Sequence, residues 1–501
     1  MTDELTIDTL HARLTDGTST CVDVAEAYLA RIEQNRDGRG LNAVTAVNPH
    51  VLDEAREADR ARAAGGPLGP LHGVPVLVKD QAETAGIRTS FGSRLFENYV
   101  PTTDATVVAR LREAGALLLG KTTMCDFAAG WFSASSLTDH TRNAYSADRD
   151  AGGSSAGSGA AVGADLCLVA VGEDTGGSIR IPASFNNGYG LRVTTGLIPR
   201  TGFSPLVHFQ DTAGPMARTV RDLATLLDAM AGYDPADVYT TAATLNPDVG
   251  RFRRAVDDAP GPDAWSIGVL DTAFGDDADP DSAAVNDVVR AAVVDLAAAG
   301  AAITPGLALE DLAGWIARTS VYGKVSKPDL TRFLASRPDA PVHDFMSLYR
   351  SGVFHPENDL FHHMADGPDD VTDDIDYWRM RVNQDHFRRH VLTLFATTGV
   401  DVLVYPTVQV PPPTLTELAD GRWTALTFPT NTVIASQAGL PALSVPVGFT
   451  HSGLPVGMEV VARPFAETTL LQLAAGLEAV RPARRAPHRS LPVISGASSG
   501  R

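Results

Sequence analysis

Apolar residues at Leu5, Leu10, Leu14, Val22, Ala25 and Leu29 recur with helical spacing, which predicts helix across 5–34 with a break at Asp16-Gly17. A second helix is predicted over 51–64, rich in Ala, Glu and Arg and closed by Gly65-Gly66-Pro67. The pattern then changes. PVLVKD (75–80) is a short continuous apolar run with polar residues at its carboxyl end, as in a buried strand. ATVVARLREAGALLLGKT (105–122) predicts a helix passing into a strand, one α/β unit, and 160–172 and 209–227 add further core elements. Strand patterning returns at 401–405, 440–449 and 458–464, and ETTLLQLAAGLEAV (467–480) predicts an amphipathic helix.

The stretch from about 306 to 390 differs in character. It carries Trp315, Tyr322, Phe333, Phe345, Tyr349, Phe354 and Phe361, followed by the acidic run 366–376, and predicts a mainly helical insertion or cap with exposed loops. From Arg481 to the end the chain is rich in Pro, Arg and Ser and reads as a loose tail, 481–501, beyond a domain spanning 1–480. No repeat of solenoid length is present.

Composition narrows the class. The 501 residues are 44% hydrophobic and 20% charged, as in a globular protein and not a disordered one. With 41 basic and 60 acidic residues the formal charge is −19, which argues against a non-specific grip on nucleic acid or an anionic membrane. Cys21, Cys125 and Cys167 are odd in number and widely spaced, so they frame neither disulfides nor a metal knuckle, and a reducing, cytoplasmic setting is expected. The acidic start lacks the apolar run of a signal peptide, and no apolar run reaches 18 residues.

Two glycine- and serine-rich segments carry the candidate chemistry: DAGGSSAGSGAAVG (150–163) and VGEDTGGSIRIPAS (171–184). Such turns let the backbone approach a ligand and aim its N–H groups inward. Gly153 to Gly157 satisfies GxSxG with Ser155 at its centre, but the nucleophile elbow needs a strand before it and RNAYSADRDAG is polar and turn-rich. No GxxxxGK[ST] phosphate loop is present, and neither cluster follows a first strand as a dinucleotide fingerprint does. His386 and His390 lie one helical turn apart in HFRRH, yet the glutamate of HExxH is missing. The acidic run lacks EF-hand spacing, so neither a metal nor a cofactor is expected.

The sequence resembles the amidase signature family over nearly its whole length. LHGVPVLVKD (71–80), AGGSSAGSGAA (151–161), GEDTGGSIRIPAS (172–184), QDTAGPMARTV (210–220) and AGLPALSVPVGF (438–449) occur in the family's order. The resemblance implies a single large α/β/α domain around a mixed sheet. It also implies a Ser-Ser-Lys triad: Lys79 as base, Ser154 as the bridging serine held by a cis peptide, and Ser178 as nucleophile. By the same resemblance Thr175, Gly176, Gly177 and Ser178 form the oxyanion hole, and Asp174 and Arg180 support the loop. The chain departs from the pattern at Glu173, where a small residue is common, and at Gln81 and Thr123, which replace common Asn residues. Met124, Cys125, Trp131 and Phe132 are candidates for an apolar cleft wall, with ordinary core packing as the competing reading.

What the resemblance implies is amide hydrolysis through a seryl acyl-enzyme. A neutral lysine can take the nucleophile's proton through a bridging hydroxyl, which donates and accepts at once. Lysine ordinarily titrates at about 10.4, so a lysine base must be desolvated, and VPVLVK supplies apolar surroundings. The expected substrate is a small-molecule or peptide amide, with no nucleic acid or membrane partner and with a homodimer left open. The texture is nearest to free-standing amidases and peptide-amide hydrolases. Two alternatives stand beside this reading: the catalytic subunit of a glutamine-dependent tRNA amidotransferase, and an inactive amidase-like assembly protein. FPTNTVIASQAGLPA (428–442) lacks the acidic residue expected for glutamine binding.

Overall fold

The computed structural model describes residues 4–36, 40–66 and 68–487. Eleven strands form one mixed sheet: β1 (Val44–Val47), β2 (Pro75–Lys79), β3 (Leu117–Thr122), β4 (Val169–Asp174), β5 (Tyr189–Arg192), β6 (Thr212–Ala217), β7 (Ser266–Leu270), β8 (Ala302–Leu307), β9 (Val402–Pro406), β10 (Ala442–Phe449) and β11 (Pro455–Val461). Their order across the sheet is β1-β3-β2-β4-β6-β5-β10-β11-β9-β7-β8. β2 runs parallel to β3 on one side and to β4 on the other, while β4 meets β6 antiparallel. β2 is buried along its whole length on both faces, which explains why PVLV before Lys79 is an unbroken apolar run.

Both faces of the sheet are covered. In β9, Val402 and Val404 join one hydrophobic core, whereas Leu403 and Tyr405 between them join another. Side chains alternate across a strand, so the two cores lie on opposite faces. This is the α/β/α arrangement expected.

The N-terminal pattern folds as read, into helices Ile7–Asp16 and Cys21–Gln34. Gly17 closes the first in the left-handed conformation, and capping boxes open both, Thr6 with Thr9 and Thr20 with Asp23. The third helix is Val51–Ala63, and the 105–122 unit is helix Thr106–Glu113 followed by β3. The run at 160–172 divides between helix Ala156–Gly163 and β4.

Residues 306–390 are mainly helical: Leu312–Thr319, Tyr322–Ala335, Phe345–Arg350, Leu360–Ala365 and the start of Ile375–Thr398. Their aromatics are not surface decoration. Tyr322, Phe333, Phe345 and Phe361 share a buried cluster with Phe91, Phe96, Phe127 and Trp131 from the first third of the chain. The segment after 480 begins with anchors, Arg481 on Asp295 and Arg484 on Glu4, and residues 488–501 lie outside the described ones. Among the described residues no helix is long and apolar enough to cross a membrane.

Candidate active site

The register of the central strands builds the site. Val76, Leu77 and Val78 of β2 pair with Val169, Ala170 and Val171 of β4. Two parallel strands in this register end side by side, so Lys79 at the end of β2 stands next to Glu173 near the end of β4. The Lys79 ammonium donates to Ser154 Oγ at 2.8 Å and to the Glu173 carbonyl at 3.2 Å, and lies 3.4 Å from Glu173 Oε2. All three residues are buried. Burial lowers the Lys79 pKa and raises that of Glu173, and the attraction between the two opposes both changes.

Ser154 and Ser155 are distinguished by their partners. The Ser155 hydroxyl donates to the Glu173 carbonyl at 3.1 Å and accepts from the Glu173 N–H at 3.2 Å, and its own N–H donates to the Ser178 carbonyl at 3.0 Å. Ser155 therefore stitches the 153–155 turn to β4 and to the second loop, leaving Ser154 to meet Lys79. The Gly153–Ser154 peptide is cis. The Ser178 backbone thus lies against the 154–155 pair. Among the described residues its hydroxyl shares no hydrogen bond with Ser154.

The loop before Ser178 demands glycine. A Cβ on Gly177, at φ +151°, would lie 2.0 Å from Thr432 Oγ1, and one on Gly176 would lie 2.2 Å from Tyr322 Oη and 2.3 Å from Trp131 Cη2. Among the described residues no acceptor takes the N–H groups of Thr175, Gly176, Gly177 or Ser178.

Beneath the loop lies a fully buried charge network. Arg180 grips Asp174 with two bonds, at 3.0 and 3.1 Å, and also meets Glu459, Ser436 Oγ and the Thr432 carbonyl. Arg192 donates to the Asp174 carbonyl at 2.6 Å and to the Gln210 carbonyl at 2.7 Å. Burial alone would raise the Asp174 pKa, but Arg180 and Arg192 outweigh it and hold the carboxyl at about 2. Asp174 Oδ2 in turn accepts from the Ile179 N–H at 3.0 Å, which fixes the chain directly after Ser178. Arg192 and Glu459 carry no motif of their own; the pairing of Arg192 with Asp174 and of Glu459 with Arg180 is visible only once the sheet is assembled.

The departures from the family pattern fall in different places. Glu173 touches Lys79, whereas Gln81 turns away to the Ser204 carbonyl at 2.6 Å and Thr123 bonds the Asn42 carbonyl at 3.1 Å. A cleft of about 700 Å³ opens beside the loop. Of the four cleft candidates Trp131 alone lines it, together with Tyr322, Leu206, Ile316, Phe428 and Val433. Met124 and Cys125 are fully buried, burial pushes the Cys125 thiol well up, and Phe132 packs edge-on against Phe428. Trp131 and Tyr322 meet edge to face at 6.0 Å, and both line the cleft and crowd against Gly176.

The amidase family model matches residues 23–471, which take in the lysine strand, both serine loops and the charge network beneath them. The chain belongs to the amidase family. It is 37% identical to a glutamyl-tRNA(Gln) amidotransferase subunit from Moorella thermoacetica, covering 91% of this chain and 92% of that protein. In structure this amidase is similar to the native peptide amidase of Stenotrophomonas maltophilia, with TM-score 0.84 and 32% identity over 97% of this chain and 99% of that one. Similarity also extends to a glutamyl-tRNA(Gln) amidotransferase subunit from Thermotoga maritima, with TM-score 0.72 and 25% identity over 98% of each chain.

Proposed function

We propose that this amidase hydrolyses uncharged carboxylic amides through an acyl-enzyme on Ser178, with Ser154 and Lys79 relaying the proton. The observation that carries the reading is the buried 2.8 Å contact between Lys79 and Ser154 beside the loop bearing Ser178. Ser178 Oγ attacks the amide carbon while its proton passes to Ser154 Oγ, whose own proton passes to neutral Lys79. Negative charge developing on the carbonyl oxygen is met by the N–H groups of 175–178. When the C–N bond breaks, the proton returns through Ser154 to the departing nitrogen. Water then repeats the sequence on the ester and releases the carboxylate.

The family also supports a second reading, in which glutamine is the amide, since relatives of this chain are subunits of glutamyl-tRNA(Gln) amidotransferases. The cleft wall favours hydrolysis of a neutral amide instead. Among its described lining residues there is no Asp, Glu, Lys or Arg; its polar members are neutral side chains such as Gln409, Asn431 and Gln437, with His363. Free glutamine carries an α-ammonium and an α-carboxylate, and burying either without a charged partner is costly.

The experiment is a mass-spectrometric panel of amides with the purified protein, reading acid and amine together. Turnover of amides with apolar acyl groups, including apolar peptide amides, and none of free glutamine is expected. Glutaminase activity as the dominant reaction would replace this reading with the amidotransferase one. Absence of Ser178 labelling by a small fluorophosphonate, together with no turnover, would favour the inactive assembly protein.

A further inference from the structure

Two loops outside the catalytic centre bring together residues that no motif connects. Ser133 to Asp150 leads into the turn carrying Ser154, and His355 to Asn358 precedes helix Leu360–Ala365, which lines the substrate cleft through Leu360 and His363. Asp126 ties the loops together. It accepts from the Ser136 N–H at 2.9 Å, the His355 N–H at 3.2 Å and Asn358 Nδ2 at 2.8 Å.

We propose that Asp139, His140 and His355 form a binding site for a divalent metal ion of the zinc type, stapling the approach to the Ser154 turn to the helical wall of the cleft. One ligand atom from each of the three residues lies within 4.8 Å of the other two. His355 Nε2 stands 3.5 Å from Asp139 Oδ1, and His140 Nε2 stands 3.8 Å from the same oxygen. Nitrogen and oxygen ligands sit about 2.0–2.2 Å from zinc, so neighbours around a tetrahedral ion stand about 3.4 Å apart. These two spacings need only a small contraction, and the two imidazoles lie within 4.8 Å of each other. Imidazole with carboxylate is also the donor set that suits zinc and its neighbours in the first row.

The surroundings supply what such a site requires. Glu357 Oε1 lies 3.3 Å from His140 Nε2, beside the three ligands, and Glu357 Oε2 is buried without a hydrogen-bond partner. On the far side of the ring, His140 Nδ1 is likewise buried and unpartnered, 3.6 Å from Asp150 Oδ2. A carboxylate behind a histidine ligand is the usual device for orienting the ring toward a metal. Three carboxyl groups, from Asp139, Asp150 and Glu357, thus surround two imidazoles. Two features oppose the arrangement: the Glu357 N–H points at His355 Nδ1 at 3.3 Å and must yield for Nε2 to ligate, and although burial lowers the His140 pKa, Asp150 and Glu357 outweigh it and hold it at about 10, so the ion must displace a proton.

The ion has no place in the proton relay, so turnover and metal binding can be read separately. The full chain, stripped with chelator and dialysed against zinc, is expected to retain one equivalent by elemental analysis and to melt at a higher temperature than the stripped form. Asp139→Asn and His355→Gln should each lose that equivalent and the thermal gain while hydrolysing amides as before. Asp139 is exposed, so its substitution tests coordination without disturbing a buried pair. Cobalt should give a strong visible absorption in the wild type that His355→Gln abolishes. His386→Gln/His390→Gln, altering the pair on helix Ile375–Thr398, should bind as the wild type does. Equal zinc content in wild type, Asp139→Asn and His355→Gln, or no bound zinc in any of them, overturns the proposal.

Discussion

The Lys79 ammonium and the Glu173 carboxylate face each other at 3.4 Å with water excluded from both. Burial disfavours the charge on each, and their attraction restores part of it. Ser154 holds the same lysine from the other side at 2.8 Å. The lysine is therefore poised between an ion pair with Glu173 and the neutral form a base needs. Burial pushes it toward neutrality, and Glu173 opposes that push.

The first prediction tests that balance. An ionised Glu173 favours the charged lysine, so removing its charge lowers the Lys79 pKa. Glu173→Gln should accordingly move the acidic limb of the acylation-rate profile to lower pH. Single-turnover acylation followed across pH would show this, and a limb that stays in place or moves upward would remove Glu173 from the tuning of the base.

Replacing Lys79 with Met keeps much of the stem but leaves no proton acceptor. Acylation should fall on the order of 10²- to 10⁴-fold, with the fold retained by circular dichroism. Folded Lys79→Met that acylates as fast as the wild type would refute the base assignment.

Ser178→Ala should abolish turnover, with a loss on the order of 10⁴-fold or more, and should end labelling by a fluorophosphonate. Ser155→Ala is the instructive comparison. Its hydroxyl is spent on Glu173 backbone groups, so it should keep fluorophosphonate labelling and lose stability by about 1–3 kcal/mol as those groups lose their partner. Loss of labelling in folded Ser155→Ala, with labelling retained in Ser178→Ala, would reverse the assignment.

Arg180 is fully buried between Asp174 and Glu459. Arg180→Met removes the charge that both carboxylates share and should cost about 3–5 kcal/mol in urea unfolding. A change under 1 kcal/mol would mean that Arg192 alone suffices to hold Asp174.

Much of this was legible before folding. The helices at 7–16 and 21–34 announce themselves because their apolar stripe, threonine caps and Gly17 agree with one another. The stretch 160–172 reads only as core and divides between a helix and β4, which ends on Glu173 and Asp174, whereas β2 is legible because a strand buried on both faces carries an apolar run. β8 was not: AITPGL runs at the sheet's edge, half-exposed, with proline and glycine in place of an apolar pattern. Of the four candidates for a cleft wall only Trp131 lines the cavity, because apolar composition cannot tell a residue that faces a cavity from one that packs beneath it.

The chemistry on offer is written in consecutive residues: one lysine after an apolar run, two serines among glycines, and their order along the chain. Local physics makes it so, since glycine-rich turns and buried strands each leave a mark in short stretches. Which groups meet is settled only by folding. The pairing of β2 with β4 puts Lys79 beside Glu173, Ser155 is consumed by backbone so that Ser154 is free to face the lysine, and Glu459 arrives under Arg180 from the far end of the chain. Those contacts depend on strand register and sheet order, which are set by burying two cores at once and not by any short stretch of residues.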